Sequence, residues 1–168
     1  MKLYHPDYIF RKTINITPEF LKNLGITNLL LDVDNTLTTH GNPVPAEGIV
    51  EWIKLMHDNG INLMIVSNNY RKRVEPFANL LGLPYSSFST KPLPRGFKKA
   101  MKHMGSNTKN TAVVGDQIFT DILGGHLMGM TSIMVLAILE EGGIGFKIKR
   151  NFEKKYIDEY IRKNGGVL

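Results

Sequence analysis

An apolar run ends in two closely spaced carboxylates near the start of the chain. The stretch LLLDVDNT, residues 29–36, passes from three leucines to Asp32 and Asp34, which a single residue separates. A run this short and this apolar is typical of a buried strand. Carboxylates at the end of a buried strand cost free energy unless a cation meets them. The chain therefore requires a cation at this point.

Further apolar runs of strand length alternate with helical segments along the chain. INLMIVS, TAVVGD and TSIMVL are such runs. Between the leucine run at residues 29–31 and INLMIVS, apolar residues recur at helical spacing, namely Ile49, Trp52, Ile53 and Met56. Strands that alternate with helices in this way indicate βαβ units. We therefore predict an α/β fold, a Rossmann-like parallel sheet with helices on both faces.

The length of the chain favours one domain. A chain of 168 residues is close to the common size of a single domain with one core. We interpret residues 1–168 as that domain. Residues 1–26 form an N-terminal extension in this interpretation, and residues 140–168 form a basic C-terminal loop and helix.

The C-terminal segment is amphipathic and basic. EEGGIGF is typical of a loop, and in the helix that we predict after it Phe152, Tyr156, Ile157 and Tyr160 fall on one face. Two interpretations stay open. The apolar stripe packs on the domain while the charges face water, or the helix lies on a membrane surface.

Charge and cysteine content limit partners and compartment. A net charge of +6 favours anionic partners, namely nucleic acid, phosphorylated metabolites or an acidic membrane surface. The chain has no cysteine, which fits a reducing compartment. No stretch approaches the ~18 apolar residues that a membrane span needs. We expect a cytoplasmic protein, with peripheral contact at the inner face of the membrane as an option.

Polar residues follow the predicted strands at the point where each strand ends. Because parallel strands end at one edge of a sheet, and ligands bind beyond that edge, these residues are expected to meet. They are Asp32, Asp34, Ser67, Asn68, Asn69, Lys91, Asp116 and Asp121.

The chemistry of this set suits a phosphoryl group. Asp32, Asp34 and Asp116 offer the hard oxygen ligands that Mg²⁺ takes together with a substrate phosphate, so Mg²⁺ is the cation that the first strand requires. Lys91 adds a point charge, and Ser67 adds a hydroxyl donor. One carboxylate can act as a nucleophile, and a second one can act as general acid and base.

The segments DVDNT, SNN, KP and GDQIFTD, which span residues 32–121, resemble in this order the four motifs of the haloacid dehalogenase (HAD) superfamily of aspartate-dependent phosphatases. The resemblance implies a phosphoric monoester hydrolase. By it, Asp32 is the nucleophile, Asp34 is the general acid and base, and Thr36 fixes the loop. Ser67 then binds the phosphoryl oxygen, and Lys91 orients nucleophile and phosphate. The candidate catalytic residues are Asp32, Asp34, Thr36, Ser67, Asn68 and Lys91.

The resemblance also implies the metal site. The ligands of Mg²⁺ would be the Asp32 carboxylate, the Asp34 main-chain carbonyl and Asp116. Asp121 would support them from a second shell of contacts.

The spacing of the motifs leaves no room for a cap domain of the kind that many members of this superfamily insert. Asp34 and Ser67 are 33 residues apart, and Ser67 and Lys91 are 24 apart, so each gap holds helix-and-strand units only. We therefore expect a HAD-like core without a cap and an open site. An open site cannot by itself desolvate a small substrate. It suits a lipid headgroup, a protein, a nucleic-acid end or a substrate that a neighbouring subunit covers.

A narrower resemblance suggests a substrate. ITPEFLKNLGI before LLLDVDNTLT, followed by VSNN and VVGDQIFTDILGG, is similar to the YqeG-like group of subfamily IIIA, which is related to phosphatidylglycerophosphate phosphatases. The implied reaction is the hydrolysis of phosphatidylglycerophosphate to phosphatidylglycerol and phosphate. Two alternatives remain, a phosphatase for sugar phosphates or nucleic-acid ends, and a module without activity that binds phosphate, RNA or a membrane.

Overall fold

The buried strands form one sheet in which every pair of neighbours is parallel. The computed structural model describes residues 3–139 and 144–168. Its strands are β1 (Tyr8–Phe10), β2 (Asn28–Leu31), β3 (Asn62–Val66), β4 (Tyr85–Ser86), β5 (Thr111–Gly115) and β6 (Thr131–Val135). They lie in the order β1-β6-β5-β2-β3-β4. The predicted α/β fold with a parallel sheet is confirmed.

Helices connect the strands and cover the sheet. They are α1 (Pro18–Asn23), α2 (Ile49–Asp58), α3 (Arg71–Leu81), α4 (Pro94–Met104), α5 (Leu123–Met128) and α6 (Ile144–Asn164). Thr17 is the N-cap of α1, since its hydroxyl accepts a hydrogen bond from the main-chain N–H of Phe20. A 3₁₀ turn, Thr13–Asn15, precedes α1, and a π-helical segment, Ile118–Ile122, leads into α5.

The strand order reverses at β2, in the middle of the sheet. Leu31 of β2 is paired with Ile65 of β3 on one side and with Val114 of β5 on the other. From β2 the chain moves outwards to β3 and β4, and it then returns to β5 and β6 on the other side. A crevice at the carboxyl ends of such neighbouring strands is where open α/β sheets bind ligands.

Alternate side chains of the strands enter two separate cores. Leu29 and Leu31 of β2 face a core shared with Trp52 of α2 and Phe77 of α3. The intervening Leu30 faces a second core, together with Phe97 of α4. Helices therefore cover both faces, as a parallel sheet with apolar strands requires.

β1 lies within the segment that the sequence indicates as an N-terminal extension. It pairs with β6 over its three residues, and the C-terminus pairs with it in turn, since the main chain of Leu168 donates to the Ile9 carbonyl over 2.8 Å. Three residues are too few for an apolar pattern to be recognised. The sequence therefore carries no strand signal here.

The apolar stripe of α6 packs on the domain. Tyr156, Ile157 and Tyr160 are partly buried and pack against a cluster around Ile118 and Met134, which supports the interpretation in which the stripe faces the domain. Contact of this helix with a membrane surface stays a prediction. The side chain of Phe152 and residues 140–143 of the predicted loop lie outside the described residues, whereas 144–146 already belong to the helix. No helix within the described ranges combines the length and the apolar character that crossing a membrane requires.

Candidate active site

The residues predicted from the strand ends meet at the carboxyl edge of the sheet. Asp32, Ser67 and Asp116 each follow the last residue of a strand directly, after β2, β3 and β5. Lys91 lies in the loop from β4 to α4. A cavity of about 110 Å³ opens among them. Its lining residues are Asp32, Asp34, His40, Ser67, Asn68, Asn69, Lys91, Gln117 and Thr120.

Lys91 bridges two carboxylates in the interior of the site. Its Nζ lies 2.8 Å from Asp32 Oδ1 and 2.6 Å from Asp121 Oδ1. The side chain of Lys91 is only 3% exposed, and that of Asp121 is fully buried. Charge-assisted hydrogen bonds in such a place are short and strong, so Lys91 fixes both carboxylates.

Burial and neighbouring charges act against each other in this group. Burial raises the pKa of Asp32 above its usual value, the nearby carboxylate of Asp121 adds to that rise, and the ammonium of Lys91 opposes it. Burial alone would lower the pKa of Lys91, but the two carboxylates outweigh it and raise the pKa above its usual value. Lys91 therefore stays charged, and Asp32 needs positive charge beside it to be an effective anion.

Three carboxylates form a cluster with room for a cation. Asp32, Asp116 and Asp121 each offer an oxygen, and these oxygens lie within 4.8 Å of one another. The ammonium of Lys91 contacts Asp32 and Asp121, and carboxylates that are buried this close together favour the binding of a further cation. A divalent cation with a preference for oxygen ligands matches this charge and this donor set. The residues present thus fit a hard divalent metal ion.

Asp34 occupies a different environment from Asp32. Its Oδ1 accepts hydrogen bonds of 2.9 Å from Arg73 Nη2 and from the main-chain N–H of Gly41. Its Oδ2 accepts a hydrogen bond from the side chain of Asn69. The Asp34 carboxylate is therefore separate from the three-acid cluster. The sequence places Asn69 at this edge, but it does not reveal that Arg73, from the basic run that begins α3, pairs with Asp34.

Asn68 holds the loop that carries Lys91. The main-chain N–H of Lys91 donates to Asn68 Oδ1 over 2.6 Å, and Asn68 Nδ2 donates to the Lys91 carbonyl over 3.0 Å. This reciprocal pair joins the end of β3 to the loop after β4. Ser67 is buried at the cavity wall, and its hydroxyl accepts a hydrogen bond from the main chain of Asn69. The predicted role of Ser67 in phosphoryl binding stays a prediction.

The loop after β2 is fixed through its main chain. The N–H groups of Thr36, Leu37 and Thr38 all point to the Val33 carbonyl, and the Thr36 carbonyl accepts a hydrogen bond of 2.6 Å from the Thr13 hydroxyl. The Thr36 hydroxyl is buried without a hydrogen-bond partner among the described residues. The predicted role of Thr36 in fixing the loop thus has support from its carbonyl.

The π-helical segment carries Asp121 into the site. π-helical turns inside helices are rare and often occur at functional sites. The main-chain N–H at the start of this turn, that of Ile118, donates over 2.8 Å to the buried carboxylate of Glu153 in α6. The sequence offers no signal for Glu153, because a glutamate in a basic amphipathic segment is expected to face water.

Nothing covers the cavity from within the two gaps between the motifs. Residues 35–66 form a loop, α2 and β3, and residues 68–90 form α3, β4 and short loops. Both segments are fully described, and neither contains an inserted domain. The expected core without a cap is therefore present.

Comparison with known sequences identifies relatives of this chain. The sequence profile of the haloacid dehalogenase-like hydrolases matches residues 12–129. The chain is 33% identical over 162 residues to a probable phosphatase, YqeG, of Bacillus subtilis, a match that covers 96% of this chain and 94% of the relative. It is 31% identical over 123 residues to the pyrophosphatase PpaX of Halalkalibacterium halodurans, covering 67% of this chain and 54% of that protein.

Solved structures share the fold at low sequence identity. The deoxy-D-mannose-octulosonate 8-phosphate phosphatase of Haemophilus influenzae, in a cobalt-bound form, superposes with a TM-score of 0.52 at 17% identity, covering 82% of this chain and 90% of that one. NagD of Escherichia coli superposes with a TM-score of 0.54 at 14% identity, covering 68% and 89%. At this identity the likeness concerns the fold alone.

Proposed function

The chain belongs to the haloacid dehalogenase-like hydrolases and is a phosphatase, and on that premise we propose that it hydrolyses phosphatidylglycerophosphate through an aspartyl-phosphate with the help of Mg²⁺. One observation carries the mechanism. Asp32 and Asp34, two residues apart, have different partners, Lys91 for the first and Arg73 for the second. Two carboxylates in different environments are suited to two different chemical roles.

In the first step an oxygen of Asp32 attacks the phosphorus atom. The bond between phosphorus and the leaving alcohol oxygen breaks, and the Asp34 carboxyl group gives its proton to that oxygen. Lys91 holds the attacking carboxylate in place through the contact at Oδ1. The products of this step are the free alcohol and a phosphorylated Asp32.

In the second step water attacks the phosphorus atom of the aspartyl-phosphate. Asp34, now a carboxylate, takes a proton from this water, and the bond between phosphorus and the Asp32 oxygen breaks. Inorganic phosphate leaves, Asp32 is again a carboxylate, and Asp34 is again protonated. The three donors around Asp34, from Gly41, Asn69 and Arg73, orient it for both transfers.

We propose that the divalent cation is Mg²⁺, held by the carboxylates of Asp32 and Asp116 and by the main-chain carbonyl of Asp34. When bound, Mg²⁺ supplies positive charge that offsets the repulsion between the nucleophile and an anionic phosphoryl group. The three-acid cluster supports this assignment, and in it an oxygen of Asp121 lies within 4.8 Å of oxygens of the other two acids. Asp121 also accepts a hydrogen bond from Lys91, which suits its predicted supporting role.

An open site supports a substrate whose reacting group projects from a larger body. The cavity of about 110 Å³ has room for a phosphoryl group and little more, and the core has no cap. A phospholipid headgroup that projects from a membrane fits these conditions. The resemblance to the YqeG-like group points to phosphatidylglycerophosphate within this class, and we place the reaction in the cytoplasm at the inner face of the membrane.

A phosphatase for sugar phosphates or nucleic-acid ends is the alternative substrate assignment. The basic charge of the chain suits nucleic-acid ends equally well. The further alternative, a binding module without activity, does not agree with membership in a family of hydrolases.

Release of inorganic phosphate from phosphatidylglycerophosphate in mixed micelles tests the proposal. The wild-type protein, Asp32→Asn and the control Asp58→Asn are compared in Mg²⁺, in EDTA, and in EDTA followed by excess Mg²⁺. We expect turnover by the wild type and the control, loss of at least about 1,000-fold in Asp32→Asn, and recovery from EDTA on addition of Mg²⁺. Asp58 is an exposed residue of α2, so its substitution controls for the loss of one carboxylate.

Two outcomes would change the proposal. Hydrolysis of an aryl phosphate without hydrolysis of the lipid rejects the substrate and keeps the mechanism, and phosphosugars and nucleic-acid ends are then the substrates to compare. Turnover that survives in Asp32→Asn rejects the aspartyl-phosphate.

A further inference from the structure

The carboxyl edge of the sheet carries several exposed apolar side chains. We call this set the apolar rim, and its members are Ile14, Val44, Tyr70, Phe88, Leu93, Ile138 and Leu139. They make up half of the large apolar side chains that are exposed among the described residues. Each lies in a segment that follows the end of a strand, and together they come from the loops after β1, β2, β3, β4 and β6.

The opposite edge of the sheet carries fewer such side chains, and Tyr4, which precedes β1, is an exposed example there. Five loops lead from a helix into the next strand there, at residues 24–27, 59–61, 82–84, 105–110 and 129–130. All of these residues are described, and none of them is an exposed large apolar residue. Single exposed apolar residues are normal on any protein, whereas a group concentrated on one edge marks an interaction surface.

The rim lies beside the catalytic residues. Tyr70 directly follows Asn69, which lines the cavity, and the main chain of Phe88 donates a hydrogen bond of 2.8 Å to the Asn69 carbonyl. On another side of the rim the main chain of Leu139 donates to the side chain of Asn35, next to Asp34. A surface that covers the rim therefore also faces the active site.

Two rim residues form a solvent-exposed aromatic pair. Tyr70 is 73% exposed and Phe88 is 64% exposed, and their rings stack with centroids 5.8 Å apart. Phe88 is held outward by a main chain in the left-handed region, with φ of 49°. A left-handed main chain at a bulky residue is unfavourable unless the surroundings enforce it. The structure of the loop thus maintains the exposure of Phe88.

Cations accompany the rim on the same edge. Arg11 and Lys12 follow β1, and Lys72 and Arg95 lie in the first turns of α3 and α4. All four are exposed, and none pairs with an acidic side chain among the described residues. Aromatic and aliphatic side chains flanked by arginine and lysine are the composition that binds at the interface of an anionic bilayer.

We propose that the apolar rim docks on the surface of an anionic phospholipid bilayer and so presents the active site to lipid headgroups. The proposal rests on the proposed function, because a site that acts on a phospholipid must reach the membrane surface. It uses a surface other than α6, whose residues Tyr156, Ile157 and Tyr160 pack against the domain. Rim side chains enter the headgroup region, and the four cations face lipid phosphates.

The composition of the rim favours lipid over nucleic acid. Surfaces for single-stranded nucleic acid need open aromatic faces on which bases stack. Here Tyr70 and Phe88 stack on each other, and the other rim members are aliphatic. Transfer of aliphatic side chains into a lipid interface is favourable, whereas these side chains have no aromatic face on which a base could stack.

Co-sedimentation with vesicles tests the proposal without any turnover. The vesicles contain phosphatidylcholine with or without phosphatidylglycerol, so no phosphomonoester is present. Tyr70→Ser/Phe88→Ser is compared with the wild type and with the control Leu55→Ser/Leu80→Ser, whose residues are also exposed but lie on α2 and α3. We expect the rim variant to lose about tenfold in partition coefficient and the control to match the wild type. Thermal unfolding establishes that both variants are folded.

A fluorescent reporter tests the depth of contact and does not rely on loss of binding. The natural Trp52 is buried, whereas Phe88 and Leu80 are each 64% exposed, so Phe88→Trp and Leu80→Trp form a matched pair. We expect acyl-chain-brominated phosphatidylglycerol to quench the added tryptophan in Phe88→Trp and to leave that in Leu80→Trp unchanged. Equal quenching in both variants, or none in either, overturns the proposal.

Other occupants would also be recognised. Binding of a single-stranded oligonucleotide that the rim variant abolishes, without vesicle binding, overturns the proposal in favour of nucleic acid. A rim variant that converts a dimer into a monomer, again without vesicle binding, identifies a second copy of the chain instead. Rim-dependent vesicle binding without hydrolysis of phosphatidylglycerophosphate keeps the surface and rejects the proposed substrate. Hydrolysis in micelles without vesicle binding keeps the substrate and rejects the surface.

Discussion

Lys91 and Asp121 form an ion pair, with 2.6 Å between Nζ and Oδ1, in which both side chains are buried. The pair joins the loop after β4 to the π-helical segment before α5. Lys91 contacts Asp32 from the same ammonium, so a single cation orders the proposed nucleophile and another acid of the three-acid cluster together. A buried charge network of this kind depends on every member, because the loss of one leaves the others without compensation.

Lys91→Met is expected to affect both stability and activity. Without the ammonium, three carboxylates face one another largely out of water, and the free energy of unfolding in EDTA falls by about 3 kcal/mol. Bound Mg²⁺ restores part of this loss by mass action. Hydrolysis of an aryl phosphate falls by at least about 100-fold. Urea unfolding with and without Mg²⁺ and steady-state kinetics measure these effects.

The control for this substitution is Lys98→Met, which removes an exposed lysine of α4. We expect it to change neither quantity by a significant amount. Wild-type stability in Lys91→Met would show that the network contributes nothing to the fold, contrary to its geometry.

Gly115→Ala is expected to disturb Asp121 directly. A Cβ atom at the end of β5 would lie 2.3 Å from the Asp121 Cγ, so the carboxylate must move. Gly125→Ala is the matched control, since its Cβ would lie 2.4 Å from Val113 Cγ1 in the core. Both variants lose about 1–3 kcal/mol of stability to overpacking. Below both melting temperatures, we expect kcat to fall about 100-fold in Gly115→Ala only; equal kcat in the two variants contradicts the role of Asp121.

Much of the fold and the site could be predicted from local pattern. Apolar runs of strand length mark β2, β3, β5 and β6, and the rule that ligands bind beyond the carboxyl ends of parallel strands brings Asp32, Ser67, Lys91 and Asp116 together. Local pattern suffices for Asp32, Ser67 and Asp116 because each of them directly follows its strand in the chain. A residue that directly follows a strand in the chain therefore lies at the carboxyl edge of the sheet.

Contacts between distant parts of the chain could not be predicted in the same way. Arg73 belongs to a basic run that begins a helix, and only the packing of α3 against the loop after β2 brings it to Asp34. Glu153 reaches Ile118 because α6 docks on the sheet. The stripe on α6 is equally compatible with a protein core or a lipid surface, since both offer an apolar environment.

A pH dependence of stability is expected from His126 and Asp7. His126 Nδ1 lies 2.9 Å from the Leu3 carbonyl and Nε2 lies 3.1 Å from Asp7 Oδ2. Two acceptors favour the imidazolium, and the hydrogen bond to Asp7 raises the pKa of His126 above 6.5. The contribution of the His126 charge to stability is therefore fully present below pH 6.5, and it is lost as the pH rises through the higher folded pKa.

At low pH, the contribution of the same pair to stability is limited by the protonation of Asp7. Burial alone would raise the pKa of Asp7, but hydrogen bonds from His126 and Ser132 outweigh it and lower the pKa below 3.8. Its contribution is present above pH 3.8 and disappears as the pH falls through the lower folded pKa. Denaturant unfolding across this range is expected to show a difference of about 1 kcal/mol between wild type and His126→Asn at pH 5 that shrinks towards pH 9. The exposed His103→Asn is the control, and a constant difference contradicts the ion pair.

Asp34→Ala is expected to slow the reaction by an amount that depends on the leaving group. An alkyl phosphate needs a proton on its departing oxygen, so loss of the general acid costs about 1,000-fold in phosphorylation of Asp32. A nitrophenolate leaves without a proton, so the same step with nitrophenyl phosphate loses only about tenfold. Hydrolysis of the aspartyl-phosphate still lacks its base, and a burst of nitrophenol followed by slow turnover is therefore expected in stopped flow. The exposed Glu51→Ala controls for the loss of a carboxylate. Equal losses for both substrates without a burst would assign Asp34 to binding instead of proton transfer.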